Sequence, residues 1–421
     1  MHKLIMSLML VTLTAVAEAQ LFRKVAENAK NKVENKAVQK SGDKIDDILN
    51  GKKKEKKTGD DDAANNSSPA VEASGPASMA IYSKFDFIPG ETVIALEDFS
   101  QDAVGDFPAR WNTNASGEVV TADGLPGKWL KLDATGVFMP EFINKLPENV
   151  TIEFDLVCNR EFRYEASPFH FGIAQLAEPQ HYTRWMQGSG GRKGFNAILQ
   201  PLTPSRQKGR AGFELYNDQA SDDGIFETSL FHAPSKNKVH VSIWRQKQRV
   251  RVYLDQEKLI DVARALSPGD YNTLVISLTT AVTKPDYYLF SNLRVAVGAP
   301  DTRNKLLTDG KFVTTGILFD VNSDRIQPSS FAVLKEIAGV MKDNAELRIR
   351  ITGHTDSDGS ATANQQLSEK RAAAVKAALA REFKIDESRM ETAGKGESAL
   401  AVPEKSAADK ANNRRVEFTR I

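Results

Sequence analysis

The hydrophobic period of this chain changes once along its length, and the change divides it into two kinds of structure. From Val150 to Leu156 (VTIEFDL) apolar and polar residues alternate, as they do at Val239–Ile243 and Val250–Leu254, two runs joined by a short polar turn. A period of two places every second side chain on one face of a strand. Further apolar strands fall at Leu274–Leu278 and Tyr287–Val297, punctuated by Gly and Pro. After Pro328 the period lengthens, and Phe331, Leu334, Ile337, Val340 and Met341 recur at helical spacing. The chain is therefore read as multidomain: an all-β sandwich of jelly-roll type over residues 81–300, followed by a compact α/β domain over 305–421.

Within the second domain, Val313–Val321 is rich in β-branched and aromatic residues and predicts a strand. Pro328 opens a helix, and Leu347, Ile349 and Ile351 alternate with Arg348, Arg350 and Thr352 in a half-buried strand. Thr362 with Gln365 three residues on predicts a capping box for a second helix that runs to about Phe383. Strands near Met390–Ala393 and Arg414–Ile421 complete a βαβαββ order. On a helical wheel Arg371 falls between Ala378 and Val375, inside the apolar stripe that starts at Leu367. An unpaired charge there is costly, so it either snorkels to water, pairs with an internal carboxylate, or serves a ligand. Asp356 ends the run Thr352-Gly353-His354-Thr355-Asp356 after the middle strand. A carboxylate and a guanidinium at one strand-to-helix junction suit a ligand that carries both an ammonium and a carboxylate.

These residues carry a family pattern. Phe319-Asp320-Val321-Asn322, Gly353-His354-Thr355-Asp356, Asn364 with Leu367-Ser368-Glu369-Lys370-Arg371-Ala372, and Asn413-Arg414-Arg415-Val416-Glu417 stand in order over residues 313–421. In this the segment resembles the OmpA/MotB-like peptidoglycan-binding domain. The resemblance implies that Asp356 pairs with the ammonium of diaminopimelate in the cell-wall stem peptide. It implies that Arg371 takes the neighbouring carboxylate in a bidentate geometry that lysine cannot reproduce. Asn322 and Asn364 match positions that help line that pocket. Arg415 is carried over with them, although one of Arg414 and Arg415 can instead serve only to stabilise the sheet. The segment from Ala399 to Asn412 departs from the family's Pro/Asn/Thr pattern.

Other chemistries fit less well. Asp356, Asp358 and Gly359 hint at a calcium loop, but an EF-hand register puts His354 first and Gln365 last, and neither is a carboxylate. His354 has no second His or Cys nearby in sequence, so it is read as a loop-packing residue and no metal site is assigned. In the sandwich, Glu153 and Asp155 share a polar face that is read as solvated. A laminarinase-type hydrolase needs a third acid where Val157 and Cys158 stand, so no catalytic residue is assigned. A membrane barrel is disfavoured by Glu153, Asp155, Arg245 and Arg251 scattered along short strands. Trp111, Trp129, Trp185 and Trp244 are read as core residues. In outline the sandwich is similar to concanavalin-like, laminin-G-type domains.

The amino terminus addresses the chain. Lys3 precedes an apolar run from Leu4 to Ala17, and Ala17-Glu18-Ala19 reads as a cleavage site, so residues 1–19 are a secretory signal peptide. Residues 20–50 follow as a lysine-rich helix and 51–80 as a linker too poor in apolar residues to order. Lys plus Arg (56) balances Asp plus Glu (55), so no net field favours nucleic acid. The expected protein is exported to the periplasm and associated with the outer membrane and wall. It binds the peptidoglycan stem peptide without turnover or cofactor, and its sandwich is free to meet a glycan or an outer-membrane protein. The competing class is a glycan-processing enzyme in the sandwich, anchored by the carboxy-terminal domain.

Overall fold

The computed structural model describes residues 85–421 except 186–192, 218–219, 281–285 and 299–300. The signal peptide, the lysine-rich helix and the linker expected over 1–80 lie outside the described residues.

Among the described residues, fifteen antiparallel strands build two packed sheets. The first follows the order β13 (Glu257–Val262), β12 (Arg249–Leu254), β11 (Lys238–Gln246), β6 (Asn149–Cys158), β15 (Tyr288–Val297), β4 (Leu125–Leu132) and β3 (Gly117–Ala122), with β1 (Thr92–Glu97) also on β15. The second runs β10 (Ala220–Thr228), β9 (Gly209–Asn217), β8 (Lys193–Gln200), β7 (Phe169–Gln175), β14 (Thr273–Leu278), β5 (Gly136–Pro140) and β2 (Trp111–Thr113). The alternation seen in β6 resolves into two faces. Ile152, Phe154 and Leu156 point between the sheets, where the Phe154 ring stacks on Phe171 at 4.5 Å and meets Phe290 at 5.1 Å. Burying side chains of this size contributes about 1.5–3 kcal/mol each. All four tryptophans are buried, as expected of core residues.

The opposite face of the first sheet is not solvated, and here the expectation for Glu153 fails. Glu153 is only 1% exposed. In cross-strand register Ser242, Glu153 and Arg294 form one row, and His240 and Asp155 begin the next. A break in register between Ser291 and Arg294, with Asn292 at a φ of 57°, moves β15 from β4 to β1 and turns Arg294 onto this face. Arg294 Nη1 donates to Glu153 Oε1 at 2.5 Å, and His240 Nδ1 lies 2.8 Å from Asp155 Oδ1. The sequence reading missed the cause because the cover comes from the second domain.

That domain is a four-stranded sheet in the order β16 (Lys311–Thr314), β19 (Val416–Arg420), β17 (Ile349–Gly353) and β18 (Met390–Gly394), in which only β17 and β18 run parallel. Helices α1 (Thr302–Leu307), α2 (Phe331–Asp343), α3 (Ala361–Phe383) and α4 (Ala407–Asn413) accompany it. The βαβαββ order is present, with α1 and α4 added. The first strand is shorter than expected: beyond Thr314 the chain leaves the sheet, and only an isolated Phe319–Ile326 bridge follows. Asn322, at a φ of 53°, reverses the chain there and leaves Val321 84% exposed. Helix α3 is capped by Ser360, whose side chain accepts from Ala363 N at 3.2 Å, and not by Thr362.

The two domains meet face to face. Phe85, Phe87, Trp244 and Tyr253 share one apolar cluster with Leu306, Phe312 and Leu334. Arg294 Nη2 donates to Thr315 Oγ1 at 2.7 Å, and Lys305 pairs with Glu91. The segment that departed from the family pattern forms α4, whose last turn closes the edge of β1: Asn412 accepts from Val93 N and donates to Val93 O, each at 2.9 Å. A covered edge cannot recruit another strand.

At this junction burial alone would lower the pKa of His240, but Asp155 and Glu153 outweigh it and raise it to about 10. The unfolded imidazole titrates near ~6.5, so the stabilisation is complete below that pH and is lost as pH rises toward about 10, on the order of a few kcal/mol in all. Thermal unfolding between pH 6 and pH 10 should therefore show a falling midpoint in the wild type and a flatter profile in His240→Gln. Parallel profiles would assign the alkaline loss elsewhere.

Candidate functional site

Close packing of β17 on α3 builds the site. A Cβ on Gly353 would lie 2.3 Å from Ser368 O, so only glycine lets the strand end approach the helix backbone. The chain then passes His354 and Thr355 to Asp356, opposite the helical turn that carries Arg371. The signal for this approach was legible as the glycine of the GHTD run.

Asp356 is 8% exposed. Its Oδ2 accepts from Arg414 Nη1 at 2.5 Å, and its Oδ1 from Asp358 N at 3.3 Å. Asn364 is buried below, with its amide donating to the carbonyls of Asp356 (3.3 Å) and Asp358 (3.0 Å) and to Glu397 Oε2 (2.5 Å). It orders the Asp356 loop. Arg371 lies half-buried with its guanidinium 4.9 Å from the centre of the Phe319 ring. Nε donates to Ser323 O at 3.0 Å and Nη2 reaches Asp320 O at 3.5 Å. No carboxylate within ion-pair distance meets it among the described residues. Burial and then the positive charge of Arg414 lower its pKa, against Asp356 and Asp324. A guanidinium remains charged even so, and its environment favours an added anion.

Asn322 stands exposed on the turn that carries the Arg371 acceptors. Arg415 also borders the cleft but is buried and engaged, with Nε and Nη2 2.9 and 2.8 Å from Glu417 Oε1 and Nη2 donating to Ala399 O at 3.0 Å. Of the two terminal arginines, Arg414 reaches the aspartate and Arg415 supports the sheet end. His354 is 4% exposed, with Nε2 3.6 Å from Glu417 Oε1. The His354 ring, with Lys311 and Arg415, holds the Glu417 carboxyl well below the usual range against the effect of burial. No group of three or more metal-ligating side chains occurs among the described residues.

Arg371 and Arg414 line a cleft of about 980 Å³ between the two domains. Asp356 does not itself line this space and reaches it through Arg414, to which it is bonded. The opposite wall is the sandwich, which supplies Lys128, Asp155, Lys238, His240 and Asn292. Reasoning from sequence missed this wall entirely, because no local pattern in β6, β11 or β15 reports what a distant segment will cover.

The pattern of the OmpA family matches residues 318–414. Outer membrane porin F of Pseudomonas aeruginosa is 36% identical over 105 residues, 25% of this chain and 30% of that protein, so the chain spans under a third of that relative. The solved peptidoglycan-associated lipoprotein of Burkholderia pseudomallei aligns at 27% identity and a TM-score of 0.25, covering 29% of this chain and 98% of that one. Outer-membrane lipoprotein YfiB of Pseudomonas aeruginosa is 34% identical over 146 residues, 34% of this chain but 86% of the lipoprotein. Through its carboxy-terminal domain, the chain belongs to the OmpA family.

Proposed function

We propose that the carboxy-terminal domain binds the cell wall non-covalently by the zwitterionic end of diaminopimelate in the peptidoglycan stem peptide, and so tethers an exported sandwich domain in the periplasm at the outer membrane. The observation that carries this reading is Arg371: a half-buried cation oriented by Phe319 and the Ser323 carbonyl, and without a carboxylate, beside a loop aspartate. The ligand carboxylate joins Arg371 and Arg414. Its ammonium competes with Arg414 for Asp356. The family membership and the relatives, an outer membrane porin and an outer-membrane lipoprotein, support the location.

On this reading the protein works by binding, and the sandwich's paired acids do not supply a hydrolase. A two-carboxylate hydrolase needs a free acid and a free base. Glu153 is held by Arg294 and Asp155 by His240 and Asn292, and the pKa of each carboxyl is lowered, despite burial, by these partners. Neither keeps a proton to give near neutral pH.

Pull-down with purified sacculi tests the reading. Asp356→Ala and Arg371→Ala should each weaken retention by about 2–5 kcal/mol, since removing one member leaves the other charge and half the zwitterion unmatched. Arg371→Lys should fail nearly as badly, because an ammonium cannot form the forked pair. Full retention by either alanine variant, with an unchanged melting profile, would falsify the assignment. Arg415→Ala acts differently: it strips a partner from Glu417 and should lower the unfolding free energy in urea by about 1–3 kcal/mol.

A further inference from the structure

We propose that the sandwich supplies the second half of the receptor: Lys128 and Lys238, across the cleft from Arg371, bind a further carboxylate of the same wall peptide. This rests on the stem-peptide reading above and extends it from one amino-acid tip to an acidic peptide.

The cleft's charges do not cancel internally. Arg294 is paired with Glu153, Arg325 with Asp320, Arg414 with Asp356 and Arg415 with Glu417. Lys128, Lys238 and Arg371 have no carboxylate at ion-pair distance among the described residues, and all three line the same space. The Lys128 ammonium is held at the wall by two carbonyls, Ser100 O at 3.1 Å and Asp102 O at 2.6 Å. Lys238 is exposed and lies 5.5 Å from the centre of the Trp129 ring. Lys238 is one of the charges that lower the Asp155 pKa, but the Asp155 oxygens are bonded to His240 at 2.8 Å and Asn292 at 2.7 Å and not to Lys238. Carbonyls and a ring face orient a cation without neutralising it, which leaves each of these groups able to accept an anion.

The space suits a peptide rather than a single amino acid. Its ~980 Å³ lies at the upper end of the about 300–1,000 Å³ typical of ligand pockets. A neighbouring chamber of about 770 Å³ shares Asp155, Lys238, His240, Asp320 and Gln327 with it, so the groove continues past the arginines along the domain junction. Asp98 and Asp155 stand on the same wall, yet Lys and Arg outnumber Asp and Glu around the cleft, and this excess in a partly enclosed groove focuses a field that favours a ligand with several carboxylates and one ammonium. A stem peptide in which a γ-linked glutamate precedes diaminopimelate has that distribution.

Calorimetry on the full chain decides the matter with three probes: meso-diaminopimelate, the tripeptide N-acetyl-L-Ala-γ-D-Glu-meso-diaminopimelate, and the same tripeptide with its glutamate α-carboxylate amidated. The wild type should prefer the acidic tripeptide to the free amino acid and lose at least tenfold on amidation. In Lys128→Gln/Lys238→Gln the ratio of tripeptide to diaminopimelate affinity should fall at least tenfold, and amidation should no longer matter. Lys238→Gln alone, at an exposed position, should show part of the effect with an unchanged melting profile. Ratios like those of the wild type in both lysine variants overturn the inference and leave the zwitterion reading standing. Equal weakening of all three probes also overturns it, as general electrostatics. A wild type that binds none of the probes overturns both.

Discussion

Glu153 is a carboxylate that water barely reaches, and the relation between the two domains depends on how it is satisfied. Left alone, an ionised acid at that depth would cost several kcal/mol. Arg294 and His240 meet it from the flanking strands, and Arg294 continues to Thr315 of the second domain. The guanidinium thus links the sheet to its cover. Asn412 on the β1 edge and the Phe85–Phe87 cluster complete the same junction. With these contacts in place, the helix bearing Arg371 faces the sandwich across a cleft and not open solvent.

That orientation changes what a wall-binding domain can do. A domain on a flexible tether presents its pocket to any wall fragment that arrives. Here one wall of the cleft is fixed by α3 and the Asp320–Arg325 turn, and the other by β6, β11 and β15. Binding in such a cleft loses less freedom from loop ordering than binding on an open surface, because the donors are already held by neighbours. The same confinement limits the ligand to a chain thin enough to enter.

How much of this could be read from the residues follows from how local each cause is. Helix α2, the end of α3 at Phe383 and the alternating strand β17 were legible because their period is written in adjacent residues. So was the close approach of β17 to α3, since Gly353 in the GHTD run is what lets the strand end reach the helix backbone. The Ser360 cap was missed by two residues because several hydroxyl side chains compete at that helix start. The first strand was drawn too long since Ile317, Leu318 and Phe319 are β-formers that serve the cleft and not the sheet. The order of the sandwich strands was out of reach: β6 pairs with β11 and β15, which lie far away in sequence.

The closing motif shows the limit most clearly. Arg414 and Arg415 are adjacent and chemically identical, and the sequence left open which of them supports the sheet. Geometry separates them. Arg415 is followed by Val416, whose side chain is 2% exposed in the core, and its own guanidinium turns back onto Glu417. Arg414 precedes the strand, at the end of α4, where its side chain can reach across to Asp356. The aspartate therefore enters the site already holding a cation. On the proposed reading a ligand ammonium shares or replaces that partner, and the adjoining Arg371 takes the ligand's own carboxylate. Such a pair of contacts would select for a zwitterion over either a simple amine or a simple acid, since each of those satisfies one charge and leaves the other as it was.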